Sequence, residues 1–294
     1  MTLHRALLGW LAPAVLAPVL LALAACAPAP VPAHPAFWSI TGPNGQQGWL
    51  LGTIHALPQP VAWRSPVIGA ALNRADVVAV EMAGFDDPGA IGRVYDALEH
   101  SPGLPPLSTR IDPALRGALS RELAAAHMHE SDFATIETWS AALRLARAEQ
   151  GNQDSANGVD RAVLRDAAGK RVVELEGAAG QLSLFDRMPE AEQRALLDAV
   201  LRDSGPSEDR DLAGAWRKGD FAAIEAETHR GMLADPALRE TLFTGRNRAW
   251  ADQLAARLGR GERVFVAVGA AHMAGPDGLA AMLAQRGYTV RRLQ

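Results

Sequence analysis

Short apolar runs alternate with longer amphipathic stretches along most of this chain. Strands of a parallel sheet that helices cover on both faces are continuously apolar, so the short runs predict buried strands. The predicted strands are residues 37–40, 47–52, 77–81, 171–176, 264–268 and 289–293. A turn signal, Gly-Pro-Asn-Gly at residues 42–45, lies between the first two and predicts an opening hairpin.

The longer stretches have the spacing of amphipathic helices. They predict helices at residues 65–74, 113–128, 132–150, 161–168, 189–203, 212–229, 236–258 and 278–286. The order is βαβ, a helical insertion, αβ, further helices and a closing βαβ. We therefore expect one α/β domain over residues 37–294, with a mixed, largely parallel sheet that N- and C-terminal βα units complete.

The amino-terminal residues 1–25 have the pattern of a bacterial lipoprotein signal peptide. Arg5 precedes a proline-interrupted apolar run, which ends in small residues directly before Cys26. An uncleaved transmembrane anchor is the alternative. Lipidation of Cys26 predicts attachment to a membrane in the cell envelope, and Ala27 favours the periplasmic face of the outer membrane. Residues 26–36 form a Pro/Ala spacer after the lipid.

The charge and the cysteine content of the chain argue against two classes of function. The net charge of −4 gives no basic footprint, which argues against a nucleic-acid partner. Cys26 is the only cysteine, so the domain has no disulfide framework and no cysteine for metal binding or nucleophilic catalysis.

Two predicted strands at opposite ends of the chain run into the same motif, Gly-x-x-His. The first motif joins Gly52 to His55, and the second joins Gly269 to His272. A third predicted strand ends at Glu81. Ligands of open α/β sheets bind beyond the carboxyl ends of the strands, so these residues predict a metal or acid/base site. The alternative is that each histidine is an ordinary loop or core residue.

Several further segments, together with these motifs, resemble the TraB/PrgY/GumN family, which includes the TIKI metalloproteases. The matching segments are residues 50–58, 80–81, 158–160, 175–176 with Gln181, 246–247 with Trp250, and 266–275. The resemblance implies a fold related to erythromycin-esterase and ChaN-like proteins, and divalent-metal-dependent proteolysis. It assigns His55, Glu81 and His272 to metal binding or catalysis, and Arg246 and Asn247 to the lining of the site.

Other polar residues remain open to two interpretations. Strand alternation places Glu174 and Glu176 on one face, and Glu176 is either a second site carboxylate or an ordinary strand-end charge. Asp160 and Gln181 either support the site or are a helix-start and a loop residue.

The pair at 246–247 is equally open. Arg246 could hold a substrate carboxyl group and Asn247 a metal-bound water, or Arg246 could lie in solvent on a surface helix.

The function expected from these observations is that of a lipid-anchored, metal-dependent hydrolase, most simply a peptidase. Its cofactor would be Mn, Co, Zn or Fe, and its substrate a peptide or small molecule. The alternative is a non-catalytic envelope lipoprotein that binds a ligand, haem or a peptide.

Overall fold

The computed structural model describes residues 29–84, 87–148, 153–204 and 211–294. The predicted signal peptide and the proposed lipidation site at Cys26 lie outside these residues. Within the described ranges, no helix is both long and apolar enough to cross a membrane.

The main sheet has six strands, of which the inner ones are the most apolar because they are covered on both faces, whereas the two edge strands carry charged residues. The six strands are β2 (Phe37–Thr41), β3 (Gln47–Thr53), β5 (Val77–Val80), β6 (Arg171–Glu174), β7 (Val264–Gly269) and β8 (Thr289–Arg292). The spatial order is β6-β5-β7-β3-β2-β8. The four strands from β6 to β3 are parallel, and β2 runs antiparallel to both of its neighbours. The predicted mixed, largely parallel sheet is confirmed, and both ends of the chain complete it.

Twelve α-helices lie in the described ranges. They are α1 (Pro66–Arg74), α2 (Pro88–Leu98), α3 (Arg116–Ala125), α4 (Thr138–Ala148), α5 (Val159–Asp166), α6 (Gly177–Asp186), α7 (Glu190–Asp203), α8 (Leu212–Lys218), α9 (Phe221–Glu227), α10 (Pro236–Arg239), α11 (Gly245–Gly259) and α12 (Leu279–Gln285).

The sheet separates two layers of core, because successive strand side chains point to opposite faces. Leu51 and Phe265 pack on the face that α1, α5 and α8 cover, whereas Leu50 and Val266 pack on the face that α11 and α12 cover. A third core lies among the helices between residues 107 and 242. This third core, the helical insertion of the fold, combines helices of the predicted insertion with further helices that follow β6.

Three predicted helices are shorter or more broken than their periodicity indicates. The helix predicted over 132–150 begins only at Thr138, after a 3₁₀ turn. Gly219, at φ +67°, ends α8 and divides the helix predicted over 212–229. A π-helical turn, Glu240–Thr244, interrupts the one predicted over 236–258. The spacing of hydrophobic residues alone does not predict such short interruptions.

The packed domain begins six residues earlier than the predicted boundary at residue 37. A short strand β1 (Val31–Pro32) pairs in parallel with β4 (Val61–Ala62), and the Val31 N–H donates to the Pro60 carbonyl. Ala33 and Ala36 are buried. Proline favours an extended backbone, which here serves as an edge strand rather than as a free spacer.

Candidate active site

The ends of three neighbouring parallel strands bring the predicted site residues together. In register, Gly52 of β3 lies opposite Val268 of β7. Glu81 follows β5 on the other side of β7, and its Oε1 accepts a hydrogen bond from the Gly269 N–H at 2.8 Å. The carboxyl edge of the sheet therefore carries both Gly-x-x-His loops and the strand-end glutamate, as the strand pattern predicts.

Gly269 leaves an opening on which these side chains converge. A Cβ at this position would lie 3.4 Å from Glu81 Oε1, 3.4 Å from His55 Nε2 and 3.7 Å from His272 Cδ2. Gly52 has a different role, since a Cβ there would lie 3.0 Å from the Ala270 backbone. One motif glycine thus permits close packing, and the other leaves the space between the functional groups.

His55 is oriented by Asp160. The ring Nδ1–H donates to Asp160 Oδ2 at 2.9 Å, and the Thr53 hydroxyl donates to the other carboxylate oxygen. Asp160 lies in the first turn of α5, which is fixed to the end of β3 by a Val159 N–H bond to the Ile54 carbonyl. When His55 is neutral, this arrangement leaves the Nε2 lone pair facing the opening. The His55 side chain itself is 67% exposed and forms the mouth of the site.

His272 lies deeper and is oriented by Asn247. The Asn247 amide nitrogen donates to the Asp277 carbonyl, so its Oδ1 must accept from His272 Nδ1, 2.7 Å away. Phe243 stacks on the imidazole at 5.4 Å between ring centroids, and Trp250 contacts it at 4.6 Å. These contacts fix the ring and leave Nε2 as its acceptor atom. Asn247 is completely buried, which excludes the surface-helix interpretation of this segment.

Arg246 is the centre of the charged network. Its Nε and Nη2 donate to the two oxygens of Glu176 at 2.8 and 2.9 Å, and Nη2 also donates to Glu81 Oε2 at 3.0 Å. Its Nη1 donates to the Leu242 carbonyl and faces His272 Nε2 at 3.3 Å. All five N–H donors of the guanidinium therefore have partners. The guanidinium would have to give up one of them in order to hold a substrate carboxyl group.

Glu174 and Glu176 have different partners, and the strand on whose alternation the prediction rests ends before Glu176. β6 ends at Glu174, whose Oε1 accepts from the Ala83 N–H. The chain then turns, with the Glu176 and Gly177 N–H groups bonded to the Glu81 carbonyl. Only Glu176 reaches the site, and it does so through Arg246.

The two histidines have opposite pKa shifts in the protein without a metal. The hydrogen bond to Asp160 raises the pKa of His55 to about 9. Burial lowers the pKa of His272 to about 4, and the Arg246 guanidinium acts in the same direction. At neutral pH, His55 is a cation and His272 is neutral.

The buried carboxylates of the site stay ionised. Burial alone would raise the pKa of Glu81, but His272, His55 and Arg246 hold it below its usual value. Burial would likewise raise the pKa of Asp160, and the hydrogen bond from His55 outweighs it.

A cavity of about 190 Å³ opens beside His55, Glu81 and Asp160, whereas the buried His272 does not line it, and Gln181 of α6 contributes to its wall. The other lining residues are His55, Val80, Glu81, Met82, Ser155, Asp160 and Arg161. Larger depressions of about 430 and 470 Å³ lie along α6, and neither histidine lines them. Of the cavities described, the one at the strand ends is therefore the one that a site histidine and Glu81 line.

The donor set suits a divalent cation in kind. Each histidine binds an oxygen through Nδ1 and presents Nε2, as metal-ligating histidines do. Glu81, Glu176 and Asp160 carry three negative charges, which Arg246 and the protonated His55 offset only in part. Across the described ranges, however, no three His, Cys, Asp or Glu side chains stand ready to share one metal ion.

Three partners in this network were not predicted. Thr53 has a signal in the sequence, because strand alternation places it on the same side as His55. The Asp277 carbonyl and the Leu242 carbonyl have none, because backbone acceptors are the same in every residue. The Leu242 carbonyl belongs to the π-helical turn, an element that often marks functional sites.

Known proteins give one clear relationship. A sequence model of the TraB/PrgY/gumN family matches residues 36–292. No curated protein and no solved structure matches the chain. The family match spans the whole sheet, both Gly-x-x-His loops and the helical insertion, and the chain therefore belongs to the TraB/PrgY/GumN family.

Proposed function

We propose that this protein is a hydrolase that cleaves peptide bonds at the strand-end site, with a divalent cation held by His55, Glu81 and His272. The observation that carries the proposal is the convergence of these three side chains on the opening in front of Gly269. Both histidines are oriented by oxygen partners outside the opening, Asp160 and Asn247. Such preorganisation is what a hydrolytic site requires.

Each residue has a distinct part in this proposal. A bound divalent cation supplies Lewis acidity, which lowers the pKa of water and polarises a substrate carbonyl. His55 and His272 would hold the cation through Nε2, for which His55 would first have to give up its second ring proton. The Gly269 N–H fixes Glu81 Oε1 beside the opening, where the carboxylate either binds the cation or accepts a proton from water. Its lowered pKa keeps Glu81 ionised, which suits binding of the cation better than acceptance of a proton.

The size of the cavity favours a peptide segment over a large cofactor. Pockets that enclose drug-sized ligands measure roughly 300–1,000 Å³, and this cavity of about 190 Å³ is smaller. The exposed His55 at its mouth leaves room for a chain that continues into solvent. The alternative of a haem-binding lipoprotein has no comparable support.

Attachment to the cell envelope belongs to the same proposal. Cys26 would carry the lipid and place the domain at the periplasmic face of the outer membrane. The support is the sequence pattern around Cys26.

The direct test is metal content together with peptide cleavage. Elemental mass spectrometry of the purified protein, after exposure to Mn, Co, Zn or Fe, should find close to one ion per chain. His55→Ala and His272→Ala should lose the ion and the cleavage of a quenched fluorogenic peptide library. His229→Ala replaces an exposed histidine outside the site and should retain both. Unchanged metal content in the two site variants would refute the metal assignment.

A further inference from the structure

Arg246 stands where a metal ion would need its ligands. Its Nη2 is 3.0 Å from Glu81 Oε2, and its Nη1 is 3.3 Å from His272 Nε2. His272 has no other acceptor atom, because Nδ1 is committed to Asn247. A cation and the guanidinium cannot both use the Nε2 lone pair.

We propose that Arg246 is an internal substitute for the cation: it occupies Glu81 and His272 in the metal-free protein, and a divalent ion binds only after the guanidinium withdraws from them. This inference rests on the metal site of the proposed function and adds a regulatory step to it. The exchange replaces one positive group by another at the same two ligands.

The structure gives a reason for the contacts that Arg246 makes with Glu81 and Glu176. Glu81 and Glu176 are both largely buried, with side-chain exposures of 9% and 12%. Buried carboxylates without a counter-charge are costly. Arg246 bridges them and neutralises part of their charge until a cation arrives.

The structure also shows what would keep Arg246 nearby after the exchange. Glu176 binds the guanidinium through two parallel hydrogen bonds, and the Leu242 carbonyl accepts from the far side of Nη1. The guanidinium carbon lies 4.7 Å from the centroid of the Trp250 ring, a favourable cation–π distance. The contacts with Glu81 and His272 break on withdrawal, and any partner that is retained must move with the guanidinium, because its donors form a rigid fork.

Trp250 provides a readout that does not depend on activity. It contacts both Arg246 and His272, so the exchange should change its fluorescence. We would titrate Zn²⁺ into the full-length protein and measure binding by calorimetry and by stopped-flow tryptophan fluorescence. Trp250→Phe identifies the part of the signal that arises at the site.

Arg246→Gln should bind Zn²⁺ about tenfold more tightly or better, because a cation beside the site is removed. In the wild type, the binding rate should reach a plateau as Zn²⁺ rises, since departure of the guanidinium becomes limiting, whereas the variant rate should rise linearly. Arg248→Gln makes the same charge change on α11, where Arg248 pairs with Glu240, and should behave as the wild type. Arg246→Lys keeps the positive charge but loses the paired N–H donors of the guanidinium. It is the variant to measure if Arg246→Gln does not fold.

The outcomes separate the two proposals. If the wild type and both Arg246 variants bind Zn²⁺ with equal affinity and equal kinetics, Arg246 does not keep the ion out, and this inference is overturned. The metal site of the proposed function would remain intact. Binding to the Arg246 variants alone would support the exclusion in its strongest form. No binding to any of these proteins would overturn the metal site and this inference with it.

Discussion

At the scale of single residues, two identical motifs produce histidines with opposite properties. His55 is exposed and paired with a carboxylate, whereas His272 is buried, paired with a neutral amide and close to a guanidinium. The motif places both rings at the strand ends, but the partner at Nδ1 and the depth of burial decide the charge. An Asp partner stabilises an imidazolium, and an Asn partner does not.

Asp160→Asn tests this assignment for His55. Loss of the carboxylate should bring the pKa of His55 down from about 9 toward its ordinary value. A folded-state pKa raised above the unfolded value stabilises the protein below about pH 6.5, and this contribution disappears as the pH rises through about 9. Wild type and variant should therefore differ most in stability below pH 6.5 in metal-free buffer, and the gap should narrow toward pH 9.

The measurement for this variant is the NMR titration of the His55 ring proton, with urea unfolding at several pH values. Asp166→Asn is the matched control, since Asp166 lies on the same helix but pairs with Arg64 at the surface. A His55 pKa that stays near 9 in Asp160→Asn would contradict the assignment.

At the scale of elements, the sequence predicts the strands well and the fine geometry of their ends less well. Continuous apolar runs locate β5 and β7, and the residues that follow them bring Glu81 and His272 to the site. The strand order cannot be read from these runs, because it depends on packing between distant segments. The alternation of strand side chains also ends at Glu174. Three residues later, Gly177 at φ +71° turns the chain into α6.

Two glycines close to the site, one before α5 and one at the end of β7, should respond differently to the same substitution. A Cβ on Gly158 would lie 2.2 Å from the His55 carbonyl oxygen, so Gly158→Ala must push α5 away from β3 and should cost on the order of 2–3 kcal/mol. Gly269 has φ −47° and room for a Cβ at 3.4 Å, so Gly269→Ala should fold normally. Its methyl group would nevertheless fill the opening between Glu81 and His55.

Thermal unfolding and Zn²⁺ titration distinguish the two glycine variants. Gly269→Ala should keep the unfolding midpoint within a few degrees of the wild type and lose about tenfold or more in metal affinity. Gly158→Ala should show a clearly lower midpoint. A stable Gly269→Ala protein with unchanged metal binding would show that the opening is not the binding position.

At the scale of the whole molecule, the sheet and the helical insertion have separate cores that α6 connects. Leu182 and Phe185 of α6 pack against the helical core, while Gln181 lines the site cavity. The first residues of α6 are tied to the sheet, because the Gly177 N–H donates to the Glu81 carbonyl. The site is therefore built on the sheet, and it meets the helical core at Gln181 of α6 and at the Leu242 carbonyl that accepts from Arg246.

A substitution of Arg110 should destabilise the helical core without directly touching the core of the sheet. It is fully buried in the insertion, where its guanidinium donates to the backbone carbonyls of Pro105, Phe133 and Ile136. Arg110→Met leaves these acceptors unsatisfied and should cost about 3 kcal/mol, roughly 1 kcal/mol for each. Arg121→Met, on the exposed face of α3, should change stability by less than about 0.5 kcal/mol.

Hydrogen exchange identifies the elements that lose stability in Arg110→Met. If the insertion opens as its own cooperative unit, the amides of α4 and α7 should exchange faster in Arg110→Met while those of β3, β5 and β7 keep their protection. The Gly177 amide should follow the sheet, since its acceptor is the Glu81 carbonyl, and Zn²⁺ affinity should be unchanged. Faster exchange in the sheet strands as well would instead mean that both cores unfold together and that the site depends on the insertion for its stability.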